Sequence, residues 1–247
     1  MARLAGLPTP DFMRGAAASA AFVTNYLVGT KILTLFQHTW SLAVEEHSYL
    51  ALAGIVILAR RDPHRSARLA FAVSLVLMAI AAARYHSHPT DWRLYLRSES
   101  RAPSILLSFA IAVHGRRIAA GMPASILPWV APAAMCCALA LAMTVVPTSV
   151  FCTVVTLLLS IAVNFVEHAH KVVSRPLQDP VLRWFGLISF SLYLWQQPFH
   201  AAHVTNGLSS IIVLPLAILL ASGSFYLVET PARRLLKPAR TAGRASV

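Results

Sequence analysis

Trp40-Ser41-Leu42-Ala43-Val44-Glu45-Glu46-His47-Ser48-Tyr49-Leu50-Ala51-Leu52-Ala53-Gly54-Ile55-Val56-Ile57-Leu58-Ala59 is an apolar run interrupted early by two adjacent carboxylates. It has the length, about 20 residues, that a helix needs to cross a hydrocarbon core. A carboxylate inside hydrocarbon costs several kcal/mol unless it is paired, protonated or hydrated, so an ionisable group there is a functional candidate by default. Adjacent residues of a helix point about 100° apart, so Glu45 and Glu46 cannot both face one partner. Two readings are open: a functional site, or a helix-packing ion pair with an arginine or lysine of another helix.

The rest of the chain supports a membrane setting. Of its 247 residues, 57% are hydrophobic and 12% charged, and the mean hydropathy is +0.64. Soluble domains carry about 25% charged residues. Half that supply could not cover a water-exposed surface of this size, whereas lipid removes the requirement. About eight segments have the apolar character of spans: 15–35, 40–59, 67–83, 102–114, 125–146, 148–166, 182–199 and 208–228. The first is weakened by Asn25 and Lys31, the fourth is short, and Pro128, Pro132 and Pro215 predict kinks in the fifth and eighth. No internal repeat is visible.

The net charge of +12 would suggest nucleic acid in a soluble protein. Here the arginines and lysines cluster between apolar runs, and retention of positive loops on the cytoplasmic side accounts for them. Arg60, Arg61, Arg65 and Arg68 follow the second segment, Arg116 and Arg117 the fourth, Lys171, Arg175 and Arg183 the sixth, and Arg233, Arg234, Lys237, Arg240 and Arg244 the eighth. With Arg3 and Arg14, these put both termini in the cytoplasm. Residues 84–101 break the rule, holding Arg84, Arg93, Arg97 and Arg101 on the expected outer side. Local pairing with Asp91 and Glu99, a miscounted helix, or a basic site at the outer mouth would each explain them. The opening Met1 to Arg14 has no apolar signal-peptide core, so insertion is expected to rely on internal helices.

Metal and soluble-enzyme chemistry find little support. Cys136, Cys137 and Cys152 lie in apolar segments at no metal-ligand spacing and read as small core or lipid-facing residues. The pairs His168/His170 and His200/His203 lack a third ligand, so no metal site is expected. His86-x4-Asp91 matches the pattern of glycerolipid acyltransferases only formally, with Pro89 inside it. There is no phosphate-binding loop, nucleophile elbow or dinucleotide fingerprint.

The stretch His38-Thr39-Trp40-Ser41-Leu42-Ala43-Val44-Glu45-Glu46-His47-Ser48-Tyr49-Leu50 closely resembles the W-S-L-x-x-E-E-x-F-Y signature of the acyltransferase-3 family, with Ser48 in place of the aromatic residue. Tyr95-Leu96-Arg97-Ser98-Glu99-Ser100-Arg101 resembles the family's polar stretch ending in arginine. Phe185 to Trp195 resembles its G-x-x-S-Y-S-x-Y-L-W helix, with Gln196 where histidine is usual, and Tyr226 to Arg233 resembles its closing E-x-P-x-R. The resemblance runs from about Phe12 to Arg234. Residues 1–236 look like such a membrane domain without the usual first two helices, which carry an arginine and the histidine thought to be the base, and 237–247 form a basic cytoplasmic tail.

The resemblance implies an all-α, polytopic membrane bundle in the bacterial inner membrane. It implies transfer of an acyl group, with acetyl-CoA the expected donor, to a hydroxyl of a surface polysaccharide, lipopolysaccharide or lipid-linked glycan. Acyl-CoA is a substrate here, so no bound cofactor is expected; the carbohydrate acceptor and membrane lipid are the partners, and nucleic acid is not. Such transfer needs a base near the hydroxyl and donors for the developing oxyanion. The residues implicated in catalysis are Glu45, Glu46, Arg101 and His38, and in substrate binding Trp40, Ser41, Tyr49, Ser189, Tyr193 and Trp195. Arg101 would hold a phosphate or stabilise charge, a glutamate would orient an imidazole, and His38 would stand in for the absent histidine. A truncated, non-catalytic scaffold and a transporter of small polar or lipid-linked sugars are the alternatives. Transporters commonly show repeat symmetry, and none is detected.

Overall fold

The computed structural model describes residues 9–27, 36–144, 148–206 and 209–236. Among these residues the regular structure is entirely helical, with no strand. They fall into two compact units, one within Pro8–Gln178 and one within Asp179–Val247. Lys31 and the basic tail at 237–247 lie outside the described residues.

The first unit runs through α1 (Thr9–Ala20), α2 (Thr24–Leu27), α3 (Trp40–Leu58), α4 (Pro63–Ser87), α5 (Ser98–Ala120), α6 (Leu127–Met143), α7 (Thr148–Val150), α8 (Thr156–Phe165) and α9 (Lys171–Leu177). Tight 3-10 turns at Gln37–Thr39 and Trp92–Leu96 lead into α3 and α5, and a π-helical turn at Phe151–Val155 joins α7 to α8. The second unit holds α10 (Pro180–Asn206), α11 (Ser210–Ser224), a π-helical turn at Phe225–Glu229, and α12 (Thr230–Leu236).

Local chemistry sets the boundaries that matter most. Asp62 caps α4 by accepting a hydrogen bond from the Arg65 backbone N–H at 2.6 Å, and Pro63 occupies the first helical position, where its missing N–H costs nothing. That backbone bond, with the charges of Arg65 and His64, holds the Asp62 carboxyl below the usual carboxylate range. The α3–α4 turn places Arg60 and Arg61 at φ 55° and 61°. This left-handed region costs an L-residue roughly 1–2 kcal/mol and is normally left to glycine.

Packing within the first unit is inside-out relative to a soluble bundle. Small residues fill the helix contacts: Ala67, Ala70, Ser74 and Ala81 of α4 are buried, as are Ala102 and Ala110 of α5. Ala67 and Ala70 pack with Ile55, Leu106 and Ala110 in one cluster. The Ser74 hydroxyl donates to the Pro103 carbonyl at 3.3 Å, linking α4 to α5. The large side chains face outward, with Leu75 49% and Val76 58% exposed. Lipid is as apolar as these side chains, so membrane helices associate through close approach of small residues, whereas in water such a face would be an exposed apolar patch.

Among the described residues, four helical stretches are long and apolar enough to cross a membrane: Gln37–Leu58, Pro63–Ser87, Phe151–His168 and Ile211–Leu235; Leu127–Met143 is a shorter apolar helix. They coincide with the second, third, sixth, eighth and fifth segments of the sequence reading. The fourth segment is the apolar centre of α5, which is 23 residues long, and the seventh lies within the 27 residues of α10. The first departs from expectation. Its described part is two pieces, because α1 stops at Ala20 and Phe22 turns left-handed at φ 55°. There the Val23 N–H closes back on the Ala18 carbonyl at 3.0 Å.

Ala70→Leu tests this packing. It forces extra volume between α4 and α5 and is expected to destabilise the protein by about 1–3 kcal/mol, whereas Val76→Leu on the outward face is expected to be neutral. Thermal unfolding in detergent distinguishes them; equal effects would contradict the inside-out assignment.

Candidate functional site

On α3 the buried residues Ala43, Val44 and Ser48 mark the inward face. Helical periodicity puts His47 with them, Glu46 about 100° away, and Glu45 with Tyr49 on the far side. Glu45 and Tyr49 are accordingly exposed, and Glu46 is half-buried. Neither glutamate forms an ion pair among the described residues, so the helix-packing reading of the pair finds no partner there.

The inward imidazole is the better-connected group. His47 Nδ1 lies 2.7 Å from the hydroxyl of Ser98, in the first turn of α5. The Ser98 oxygen also accepts from Asn25 Nδ2 of α2 at 2.9 Å. Asn25 is 3% exposed, yet its Oδ1 has no hydrogen-bond partner among the described residues. A buried acceptor left unpaired costs about 1–3 kcal/mol, which a donor from a ligand would recover. Hydroxyls extend the polar cluster on the α1 side, where Ser19 and Thr39 are 3.0 Å apart and Thr39 donates to Thr24 at 3.2 Å.

Charge gathers at the same end of the unit. Glu99, one residue beyond Ser98, pairs with Arg84 of α4 and lies 3.5 Å from Arg97, while the Tyr26 hydroxyl donates to it at 3.3 Å. Burial works to raise the Glu99 carboxyl. Its own backbone N–H, the hydrogen bond and charge of Arg84 and the charge of Arg97 outweigh burial and hold it below the usual carboxylate range. Local pairing thus accounts for Arg84 and Arg97 of the anomalous basic loop. Asp91 instead caps the Trp92–Leu96 turn by accepting from the Arg93 backbone N–H at 3.1 Å.

Arg101 is different. It forms no ion pair among the described residues, and its guanidinium lies over the Tyr95 ring at 4.5 Å. Tyr95 in turn meets Trp40 at 6.2 Å and Phe151 at 5.8 Å between ring centres. Ser98 and Arg101 stand three residues apart, one turn along one face of α5. Arg101 heads an open cleft of about 380 Å³ between α5 and the 151–163 helix, with apolar walls and the hydroxyls of Ser104, Ser108, Thr156 and Ser160 along it.

The structure therefore connects Trp40 to Arg101 through Tyr95 and leaves Glu45 and Tyr49 on another face. Half-buried His38 occupies the turn before α3, and Ser41 is half-buried at the start of α3. Ser189, Tyr193 and Trp195 belong to the second unit. Ser189 is exposed and bonds the Gly186 carbonyl of its own helix at 2.8 Å, while Tyr193 and Trp195 are half-buried. In that unit the buried Ser191 donates to Glu229 at 2.8 Å, and Glu229 pairs with Arg233, tying α10 to the end of α11 and the start of α12. His47, Ser98, Asn25 and Glu99 were not singled out from sequence as site residues. The spacing of Trp40, Ala43, Val44 and His47 was the available signal for the first of them. Among the described residues, no group of three or more His, Cys, Asp or Glu could hold a metal ion.

Glu99→Gln is expected to lower stability by about 1–2 kcal/mol near neutral pH, between the effects at exposed and buried ion pairs. Because the folded carboxyl titrates below its unfolded value, this contribution is full above about pH 4.3 and fades as pH falls through the depressed value. The gap in unfolding temperature between wild type and variant should close on acidification; a gap independent of pH would contradict the assignment.

No family model and no solved structure matches the chain. Among curated proteins it is similar to the O-acetyltransferase OatA of Staphylococcus aureus strains NCTC 8325 / PS 47 and COL, in each case 24% identical over 259 residues. Those alignments cover 90% of this chain and 41% of the relative, so the chain spans less than half the length of the curated proteins it matches. The chain is helical throughout its described regular structure, carries membrane-like helices and has a distant similarity, over most of its length, to an O-acetyltransferase.

Proposed function

We propose that this chain is a polytopic O-acyltransferase of the acyltransferase-3 type, with about eight spans and cytoplasmic termini, in a bacterial inner membrane. It moves an acyl group, acetyl in the first instance, from acyl-CoA to a hydroxyl of a surface polysaccharide or lipid-linked glycan. The carrying observation is the juxtaposition on α5 of Ser98, bonded to His47 at 2.7 Å, and Arg101, which heads the cleft one turn away. The Trp40–Tyr49 motif and the similarity to an O-acetyltransferase over 90% of the chain support the reading.

The chemistry follows from the atoms. Ser98 Oγ already accepts from Asn25. When His47 carries its proton on Nδ1 and donates it to the same oxygen, Nε2 holds the free lone pair of a general base. Nε2 takes the acceptor hydroxyl's proton as that oxygen attacks the thioester carbonyl. The C–S bond then breaks, and the thiolate recovers the proton from the imidazolium. Arg101 steadies the oxyanion, and the cleft beyond it accommodates the donor's narrow arm. Asn25 Oδ1, buried and without a partner among the described residues, receives a second hydroxyl of the sugar. Glu46 stands about 100° from His47 on the helix.

Transfer from radiolabelled acetyl-CoA to glycan in membrane vesicles tests the proposal. His47→Gln and Arg101→Ala are each expected to reduce transfer by at least about 100-fold. Ser98→Ala, which removes a positioning bond, should cost about 10-fold or less. Full transfer in both the His47 and Arg101 variants would sink the mechanism. Normal glycan acylation after deletion of the chain would favour the scaffold, and altered sugar uptake with acylation intact would favour the transporter.

A further inference from the structure

A second cleft lies at the opposite end of α5, remote from Ser98 and Arg101. It occupies about 430 Å³ between α4 and α5, with Ala67, Phe71, Ala110 and Ile111 as apolar walls and Arg68 and His114 among its lining. The helices run antiparallel, so the start of α4 meets the end of α5. The rings of His64 and His114 stack there at 5.4 Å and 23° between planes. Phe71 and Ile118 are 46% and 41% exposed, so the cleft opens on the outward, apolar surface.

The surroundings are strongly cationic. Arg60, Arg61 and Arg65 precede Arg68, and Arg116 and Arg117 follow His114. None of these arginines forms an ion pair among the described residues. The nearest carboxylate in sequence, Asp62, is engaged by the Arg65 backbone N–H. Retention of positive loops explains cationic residues beside a span but requires no apolar cleft beneath them and no left-handed turn. Here Arg60 and Arg61 both occupy the left-handed region, at positions where glycine would be strain-free.

We propose that this α4–α5 cleft binds one anionic phospholipid. Its phosphate sits against Arg68 and His114, Arg65 and the turn arginines complete the field around the headgroup, and one acyl chain lies along Phe71, Ala110 and Ile111. Charge complementarity decides the class of lipid, and an apolar cleft open to the surface separates a phospholipid from a free anion, which would leave the walls uncovered. Basic pockets between membrane helices recognise anionic headgroups in this way. The site shares no residue with the acyl-transfer site, so either proposal can fail without the other.

The test is native mass spectrometry of the full chain released from mixed micelles of phosphatidylglycerol and phosphatidylcholine with identical chains. The wild type is expected to retain phosphatidylglycerol at least about 5-fold over phosphatidylcholine, the effect of one basic residue at an anionic surface. Arg68→Gln combined with His114→Gln should abolish the preference. Ile118→Trp, which keeps every charge and fills the mouth of the cleft, should reduce the retained phosphatidylglycerol in protein whose unfolding temperature is unchanged. Equal retention of the two lipids by the wild type, or an undiminished preference in both variants, would overturn the proposal. So would displacement of phosphatidylglycerol by coenzyme A or inorganic phosphate at equimolar concentration, because the site would then belong to a soluble anion.

Discussion

The Ser98 hydroxyl is the contact on which the arrangement of the first unit depends. Asn25 reaches it from α2 and His47 from α3, so one oxygen at the start of α5 fixes three elements. In an apolar surrounding, a polar group without a partner costs several kcal/mol. The imidazole and the amide therefore add hydrogen-bonded register to the packing of these helices. Glu99, the next residue, extends the constraint to α4 through Arg84 and to α2 through Tyr26. Among the described residues Arg101 is left without an ion pair, because the neighbouring carboxylate of Glu99 is already committed to Arg84 and Arg97. Its aromatic neighbour Tyr95 packs against the guanidinium without neutralising it.

Small residues make this polar end possible. With Ala67, Ala70 and Ser74 buried at the α4–α5 contact, the two backbones approach closely over several turns. The bulk that would fill a soluble core is turned toward lipid instead. The scaffold thus derives its rigidity from backbone proximity and a few interhelical hydrogen bonds, among them Ser74 to Pro103 and Asn164 to Ser108. Clefts persist beside such contacts, because small side chains leave unfilled volume wherever the helices diverge. Both clefts on α5 arise in this way, one toward the 151–163 helix and one toward α4.

What the sequence displayed and what it concealed divide along physical lines. Long apolar runs were legible in place, since α3, α4 and the 151–168 and 211–235 stretches fall on four of the expected segments, although α4 extends to Pro63 and Ser87, beyond the apolar run at 67–83. The start of α4 was placed late, at Ala67, because hydropathy ignores the cap that Asp62-Pro63 supplies. The break at Phe22 was not legible, because a single left-handed residue leaves no trace in hydropathy. The polar ends of α5 hid its length. Composition shows an apolar centre at 102–114, whereas the helix extends to Ser98 and Ala120. In the Trp40–Tyr49 motif, charge drew attention to Glu45 and Glu46, while burial of Ala43, Val44 and Ser48 turned His47 inward. Ser189 and Ser191 differ for the same reason: two residues are about 200° of helix, and Ser191 is the one that meets Glu229.

The dimensions of α5 bring the two ends of the first unit into one scheme. At about 1.5 Å per residue, its 23 residues extend about 35 Å, and a hydrocarbon core is about 30 Å thick. Glu99 and Arg101 lie in its first turns, and Arg116 and Arg117 in its last. The same charges that remove α5 from a count based on apolar windows stand where a helix of this length would meet the two polar interfaces. The apolar segment between them carries Leu106, Leu107 and Ala110 buried against neighbouring helices, so little of it need face lipid. A helix sheltered in this way can afford an arginine near one end and a histidine near the other. On the two proposals made above, the reaction groups and the headgroup-binding groups sit at opposite ends of one helix, about 20 Å apart from Arg101 to His114 at the helical rise.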